Sequence, residues 1–489
     1  MHDTRAVIDI GSNTVRLVIY SGPARAPVEM LNEKVSARLG RGLVTGSRLS
    51  DKSMAAALSA LERFALLLRM KGIQRVDTVA TAAVREAANG GAFLERVAAL
   101  GLSPRLLSGA EEAAMSAAGV IGAFPGARGT VADLGGGSLE LAAIAQGTVG
   151  AAGSLPFGSL RLAALRESGG REVETRFAAM LDEAGLVLPR GADAGDLYLV
   201  GGSFRALARA ALPKDQTASG DAHGTALTGD AASALCRDVL RGKYPANLPG
   251  VSASRMAALP DAAALLAALV RIIRPARVVF SGWGLREGLI FHGLSPALQQ
   301  QDPLVAGVGA FAESMNSSPS AAAIVAGWTA GVVPGNAGQE HLRLAATMLA
   351  LASQRVEPNL RAQAILDWAL RKRWIGVDLQ GRAMLAAAAL ANGNRACPER
   401  LTELADAAAL GEAAAWGLAT RLCRRFSGLA IDALSNSRLA VEDDRLLLCV
   451  RPSHAALVTE MAVKDLALLA GRLGLEPDLR IAAHDPVGA

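Results

Sequence analysis

The stretch Val131–Ile144, VADLGGGSLELAAI, decides the fold. An apolar run ends on Asp133, three glycines follow, then Ser138 and, two residues on, Glu140, before apolar residues resume. A glycine-rich turn after a strand can aim several backbone N–H groups at one point, and with no Cβ atoms in the way an anion can approach closely. Phosphate is the common guest of such a turn. The carboxylate just before it would repel phosphate unless a divalent cation lies between them. Asp133 therefore reads as a Mg²⁺ ligand, direct or through water. The plainer alternative is a tight hairpin with an Asx-turn and glycines supplying positive φ.

The layout occurs twice. Val7–Tyr20, VIDIGSNTVRLVIY, aligns Asp9 with Asp133, Gly11 with Gly135, Thr14 with Ser138 and Arg16 with Glu140. One such hairpin means little, but one opening each half of an α/β region suggests two duplicated lobes facing each other across a cleft. Asp9 then joins Asp133 as a candidate metal ligand.

The rest of the chain bounds this reading. Its 489 residues exceed one core, so two to four domains are expected. Apolar residues are 51% and charged residues 19%, which suits a globular chain rich in buried, small-residue helices. The net charge of +5 mildly favours an anionic ligand. Four scattered cysteines without a CxxC pair point to reduced thiols, no zinc and a cytoplasmic location. The N-terminus enters a strand pattern without a signal peptide. The longest uncharged stretch, Ser314–Gln339, holds two prolines and several polar residues, so no membrane span is expected.

Up to about residue 295, short β-branched runs alternate with helical stretches. The strand candidates are Ala6–Ile10, Val15–Tyr20, Val76–Ala80, Thr130–Leu134, Leu139–Ala143, Leu197–Val200 and Arg277–Phe280. Helices are expected over Ser53–Met70, Ala92–Leu100 and Asp261–Ile273. After about residue 303 amphipathic helices dominate, and short strand-like runs return in the last fifty residues. Boundaries fall near 120, 303 and 430.

Other motifs carry chemistry. In Leu106–Val120, Ser108 and Glu111 form a capping-box pattern at a helix start. That gives Glu111 a structural task and leaves Glu112 unexplained. If this helix end faces the cleft, Glu112 can act as a general base on water; otherwise it is a solvated glutamate favouring the helix dipole. Arg85 follows a strand and has the fork that binds two phosphate oxygens. Gly201 and Gly202 form another strand–turn–helix junction where a helix N-terminus can meet an anion. The sequence holds no P-loop, GxSxG or HExxH motif, and the Gly282, Gly284, Gly288 spacing is not GxGxxG.

In order, these motifs resemble a known family. Asp9–Arg16 (DIGSNTVR), Thr81 with Arg85, Ser108–Ala113 (SGAEEA), Asp133–Glu140 (DLGGGSLE), then SLPFGSLRL, VGGSFRALA and GLREGLI are similar to the exopolyphosphatase / guanosine pentaphosphate phosphohydrolase family of the actin-like, sugar-kinase superfamily. The resemblance covers about residues 5–295. It implies an α/β N-terminal half of two ribonuclease-H-like lobes with the active site between them, and Mg²⁺-dependent (or other divalent-cation-dependent) release of terminal orthophosphate from a phosphoanhydride chain. It implies Glu112 as the catalytic base. Ser12, Asn13, Thr14, Arg85, Gly136, Gly137 and Ser138 are implied as the phosphate cradle. Asp9, Asp133 and Glu140 are implied as metal-site or water-positioning acids, and Arg16 and Arg286 as contacts to further phosphates.

The expected domains are lobe I (1–120), lobe II (121–302), an all-α region related to HD-type phosphohydrolases (303–430) and a small α+β C-terminal domain (431–489). The HD motif is degraded: AATMLALAS stands where adjacent metal-binding His and Asp are expected, and the only His-Asp pairs are His2-Asp3 and His484-Asp485. No second metal site is expected there. Basic clusters at Arg371, Lys372, Arg373 and at Arg421, Arg424, Arg425 offer a grip on a long anion, or are ordinary solvated faces. The expected partners are inorganic polyphosphate, guanosine tetra- or pentaphosphate and a second copy of the chain, with no nucleic acid. The favoured activity is exopolyphosphatase. The rivals are guanosine pentaphosphate hydrolysis and a non-catalytic alarmone-binding regulator.

Overall fold

The computed structural model describes residues 4–43, 46–167, 170–211, 222–335 and 338–482. The His2-Asp3 and His484-Asp485 pairs lie outside the described residues. The chain divides into two compact units, Met1–Gln301 and Asp302–Ala489.

The first unit holds two sheets. One comprises β1 (Arg5–Ile10), β2 (Val15–Ser21), β3 (Val28–Val35), β4 (Arg75–Ala80) and β5 (Pro104–Leu106), in the order β3-β2-β1-β4-β5. The other comprises β6 (Gly129–Leu134), β7 (Leu139–Ala145), β8 (Thr148–Leu155), β9 (Asp196–Val200), β10 (Ala226–Thr228) and β11 (Arg277–Phe280), in the order β10-β11-β9-β6-β7-β8. In each, three antiparallel strands form a meander and two further strands add in parallel beside the first. The second sheet adds β10, antiparallel to β11. The duplication inferred from two hairpins therefore extends over whole sheets. Every strand expected from the sequence is present. β3, β5, β8 and β10, which were not anticipated, are short or edge strands with largely exposed residues.

The two hairpins match residue for residue. Asp9 faces Arg16 and Ile10 faces Val15, as Asp133 faces Glu140 and Leu134 faces Leu139. Each turn closes with a glycine N–H donating to the hydroxyl residue's carbonyl, Gly11 to Thr14 and Gly135 to Ser138, both at 3.0 Å.

The helix Gly109–Ala123 begins with the expected capping box: Ser108 Oγ accepts from Glu111 N (3.2 Å) and Ser108 N donates to Glu111 Oε2 (2.8 Å). Its Ala113, Ala117 and Val120 pack with Val131, Ala142, Tyr198 and Val200 of the second sheet. The boundary expected near 120 falls inside this helix, which belongs with the second sheet. The helix also crosses Leu285–His292 so closely that a Cβ on Gly288 would collide with Met115 O, and one on Gly119 with Gly284 O. Leu289 and Ile290 in turn pack on Val7, Val18, Tyr20 and Val79 of the first sheet. The Leu285–His292 helix thus ties the lobes together behind the cleft.

The second unit is helical, with a three-stranded sheet of β12 (Ser437–Glu442), β13 (Arg445–Val450) and β14 (Glu476–Ile481). The alanine-rich helix Leu379–Asn392 is buried on all sides, as a helix apolar all round should be. Leu439, Leu446 and Leu466 share one core with Ala387, Trp416 and Phe426, so 431–489 packs as part of this unit and does not form a core of its own. The basic clusters have structural partners here. Arg371 pairs with Asp367 (3.0 Å), Lys372 lies over the Phe311 and Trp374 rings, and Arg421 and Arg425 both pair with the buried Asp465 (2.7 and 3.1 Å).

Candidate active site

The two glycine turns meet. A Cβ on Gly137 would lie 2.7 Å from Ser12 Oγ. The carbonyls of both turns point away, into the protein: Ser12 O and Asn13 O accept from Gly40 N (2.7 Å) and Arg38 N (3.0 Å), while Gly135 O, Gly136 O and Gly137 O accept from Ser159, Leu160 and Gly158 N–H groups. Among the described residues, the amides of Ser12, Asn13, Gly136 and Gly137 have no protein acceptor. Such turns are ready to receive an anion.

Beside them opens a cavity of about 510 Å³. It is lined by Asp9, Ser12, Asn13, Thr14, Arg16, Glu112, Asp133, Gly136, Ser138, Glu140, Gly201, Gly202 and Arg286, so thirteen of the expected site residues come together. Two do not line it. Gly137 is taken up by contact with Ser12. Arg85 stands behind Glu112, where its Nη1 donates to Leu107 O (2.8 Å) and Glu112 Oε2 (3.0 Å). Arg85, expected in the phosphate cradle, holds the glutamate instead. The cavity also has Lys34, Arg38, Arg205 and Arg255 on its walls, which the sequence reading did not single out. Arg205 had a local signal, since it lies in the first turn of the helix following Gly201-Gly202.

Four carboxyls crowd one part of this cavity. Burial pushes Glu112 up to about 7, against the lowering effect of Arg85 and with help from Asp9 and Asp133. Burial raises Asp9, although Arg286 and Arg16 pull it back. Burial raises Asp133 too, opposed by the hydrogen bond from Ser116 Oγ and by Arg205. Glu140 stands well above the usual carboxylate range, through burial and then the nearness of Glu112 and Asp133; Ser154 Oγ donates to its Oε1 (2.9 Å). Behind Asp9, burial works against the charge of Glu287, but Arg286, Tyr20 and the Gly284 N–H outweigh it and hold its carboxyl low. Tyr20 Oη donates to Glu287 Oε1 at 2.6 Å.

Among the described residues no group of three His, Cys, Asp or Glu side chains converges on a metal position. Asp9, Asp133 and Glu140 are therefore not a three-ligand cage. The carboxyls of Asp9 and Asp133, desolvated beside turns ready for phosphate, do fit Mg²⁺, which is commonly held by one or two carboxylates with water and substrate phosphate completing the shell.

The Ppx/GppA phosphatase family description matches residues 18–296. Exopolyphosphatase 2 of Mycobacterium tuberculosis is 34% identical over 169 residues, 32% of this chain and 53% of that protein, so the chain spans about half the length of that relative. Exopolyphosphatase 1 of Mycobacterium leprae is 29% identical over 59% of this chain and 88% of its own. A guanosine-5'-triphosphate,3'-diphosphate pyrophosphatase of Aeromonas salmonicida is 29% identical over 58% of each chain. The fold is shared with the Aquifex aeolicus Ppx/GppA family member (TM-score 0.51, 24% identity, 60% of this chain and 97% of that one). It is also shared with a Cytophaga hutchinsonii exopolyphosphatase (TM-score 0.51, 21% identity, 60% and 99%). The sequence motifs, the duplicated lobes and these likenesses agree, and the chain belongs to the Ppx/GppA phosphatase family.

Proposed function

We propose that this chain is an exopolyphosphatase, a phosphoanhydride hydrolase that releases orthophosphate from the end of an inorganic polyphosphate chain. The observation that carries the reading is Glu112, buried in the cleft wall, held by Arg85 and poised at about 7, where a carboxylate can accept a proton at neutral pH. Binding alone gives no reason to desolvate such a base, which disfavours the purely regulatory reading.

The terminal phosphate rests on the free amides of Ser12, Asn13 and Gly136, with the Thr14 and Ser138 hydroxyls beside them. Glu112 takes a proton from water, which attacks the terminal phosphorus and displaces the remaining chain. Arg85 orients the carboxylate and limits how far burial raises it. Arg16 and Arg286 offset the charge of the departing phosphates. Asp9 and Asp133 would hold Mg²⁺, which when bound supplies charge neutralisation to the phosphate oxygens.

Each lobe has the strand order of a ribonuclease-H-like sheet, and we assign the helical unit to the HD-related domains of longer family members. A cytoplasmic enzyme working as a homodimer fits this reading. The Aeromonas relative favours a second substrate, guanosine pentaphosphate, converted to guanosine tetraphosphate. Orthophosphate release from both substrates, with Mg²⁺ present, decides between them. Faster release from polyphosphate supports the proposal, and release from the nucleotide alone overturns it.

A further inference from the structure

We propose that Ser116 is a positioning residue for cation binding: its hydroxyl fixes the Asp133 carboxylate, so that the helix carrying Glu112 also sets the principal cation ligand. This rests on the reading of Asp133 as a Mg²⁺ ligand given above.

Ser116 is only 1% exposed and stands in the middle of the helix Gly109–Ala123. A buried hydroxyl is costly without a partner, and in a helix it commonly turns back to the carbonyl four residues earlier. Ser233, Thr329, Thr347, Thr420 and Ser427 do so in this chain, at 2.7–2.9 Å. Ser116 instead reaches out of its own helix and donates to Asp133 Oδ2 at 2.5 Å. The bond lies against the turn that leads into the helix Leu285–His292, where a Cβ on Gly284 would stand 3.4 Å from Ser116 Oγ and 3.4 Å from Asp133 Oδ2.

Asp133 lines the cavity, and among the described residues no other side chain donates to its carboxylate. One oxygen is thereby held, and Oδ1 is left for a ligand. Asp9, its counterpart in the first lobe, receives no side-chain hydrogen bond among the described residues. The two acids of the duplicated hairpins are therefore not equivalent: Asp133 is held in one orientation and Asp9 is not. The helix that makes the contact is itself fixed. Its start is closed by the capping box, and near its end Gly122 O accepts from the buried Arg25 Nη1 at 2.6 Å. Glu112 and Ser116 lie one turn apart on one face of it. The proton acceptor and the Asp133 carboxylate thus keep a constant separation, as the positioning of water against a bound phosphate requires.

Mn²⁺ shares the oxygen preference of Mg²⁺, and its paramagnetic resonance signal reports how much of it is free. Titrating the full chain with Mn²⁺ alone tests the role of Ser116 without turnover. The wild type should bind Mn²⁺, and Ser116→Ala should weaken that binding about 10–100-fold, the usual cost of removing a group that orients a metal ligand. Ser116→Thr keeps the hydroxyl and should keep most of the affinity. Asp133→Asn should weaken binding too, and adding Ser116→Ala to it should cost little more, because the two act as one unit. Unchanged affinity in Ser116→Ala overturns the proposal, as does a threonine variant as weak as the alanine one, or losses that add in the double variant. A lower Tm in chelator with unchanged Mn²⁺ affinity makes the bond structural only and overturns it as well. If the wild type takes up no Mn²⁺, the cation reading of Asp133 falls and the proposal with it. Mn²⁺ binding that Ser116→Ala leaves intact defeats the proposal alone.

Discussion

Replacing Glu112 by glutamine should stabilise the protein increasingly as pH rises from about 4.5 to about 7, and by a constant amount above that. In the folded chain the carboxyl is raised from 4.5 to about 7, chiefly by burial. That difference corresponds to about 3 kcal/mol between the protonation states. The folded state binds the proton more tightly than the unfolded state, so this contribution is fully present below about pH 4.5 and is lost as pH rises through about 7. Glutamine keeps an acceptor for Arg85 but cannot ionise, so it escapes the loss. At pH 8.5 the variant should be more stable by up to about 3 kcal/mol, and at pH 4.5 the two proteins should match. For the unit Met1–Gln301 this is a rise of about 5 °C in Tm at high pH. Scanning calorimetry of both proteins across this pH range, with chelator and without phosphate, reads it directly. A Tm difference that is the same at both pH values, or that grows toward acid, would refute the reasoning.

Three further substitutions test other parts of the account. Arg85→Ala removes the groups that lower Glu112, so the pH at which phosphate release rises to half its plateau should move above about 7; an unmoved limb contradicts the role given to Arg85. Asp133→Asn should raise the Mg²⁺ concentration needed for half-maximal activity, and an unchanged titration removes Asp133 from the metal assignment. Asp465→Asn leaves Arg421 and Arg425 without the buried carboxylate they share and should cost the helical unit about 3–5 kcal/mol in denaturant unfolding. A loss below 1 kcal/mol would mean these arginines have other support.

The hairpins were legible in the sequence because their chemistry is local. Asp9 and Asp133, the glycine turns and the second strands lie within fourteen residues each, and the period-two apolar pattern fixes the register that sets Asp9 opposite Arg16. The capping box accounts for Glu111 alone and so singled out Glu112, but spacing left a solvated glutamate as open as a base, and its burial in the cleft wall is set only by folding. The strands β3 and β8 were not legible, since edge strands bury little and VEMLNEKV carries no continuous apolar signal. Lys34, Arg38 and Arg255 stand in no motif and meet in the cavity only after folding. The turn of Arg85 toward Glu112 depends on where Leu107 O falls, which no spacing encodes. The separate C-terminal domain failed for a related reason: a strand pattern reports a sheet but not which core the sheet packs against.

The central claim is that Glu112 in this cleft activates water against a terminal phosphate. Orthophosphate release from long-chain polyphosphate with Mg²⁺, wild type beside Glu112→Gln, measures it most directly. The account predicts steady release by the wild type and a loss of about 10²–10⁴-fold in the variant. Near-full activity in the variant would contradict it.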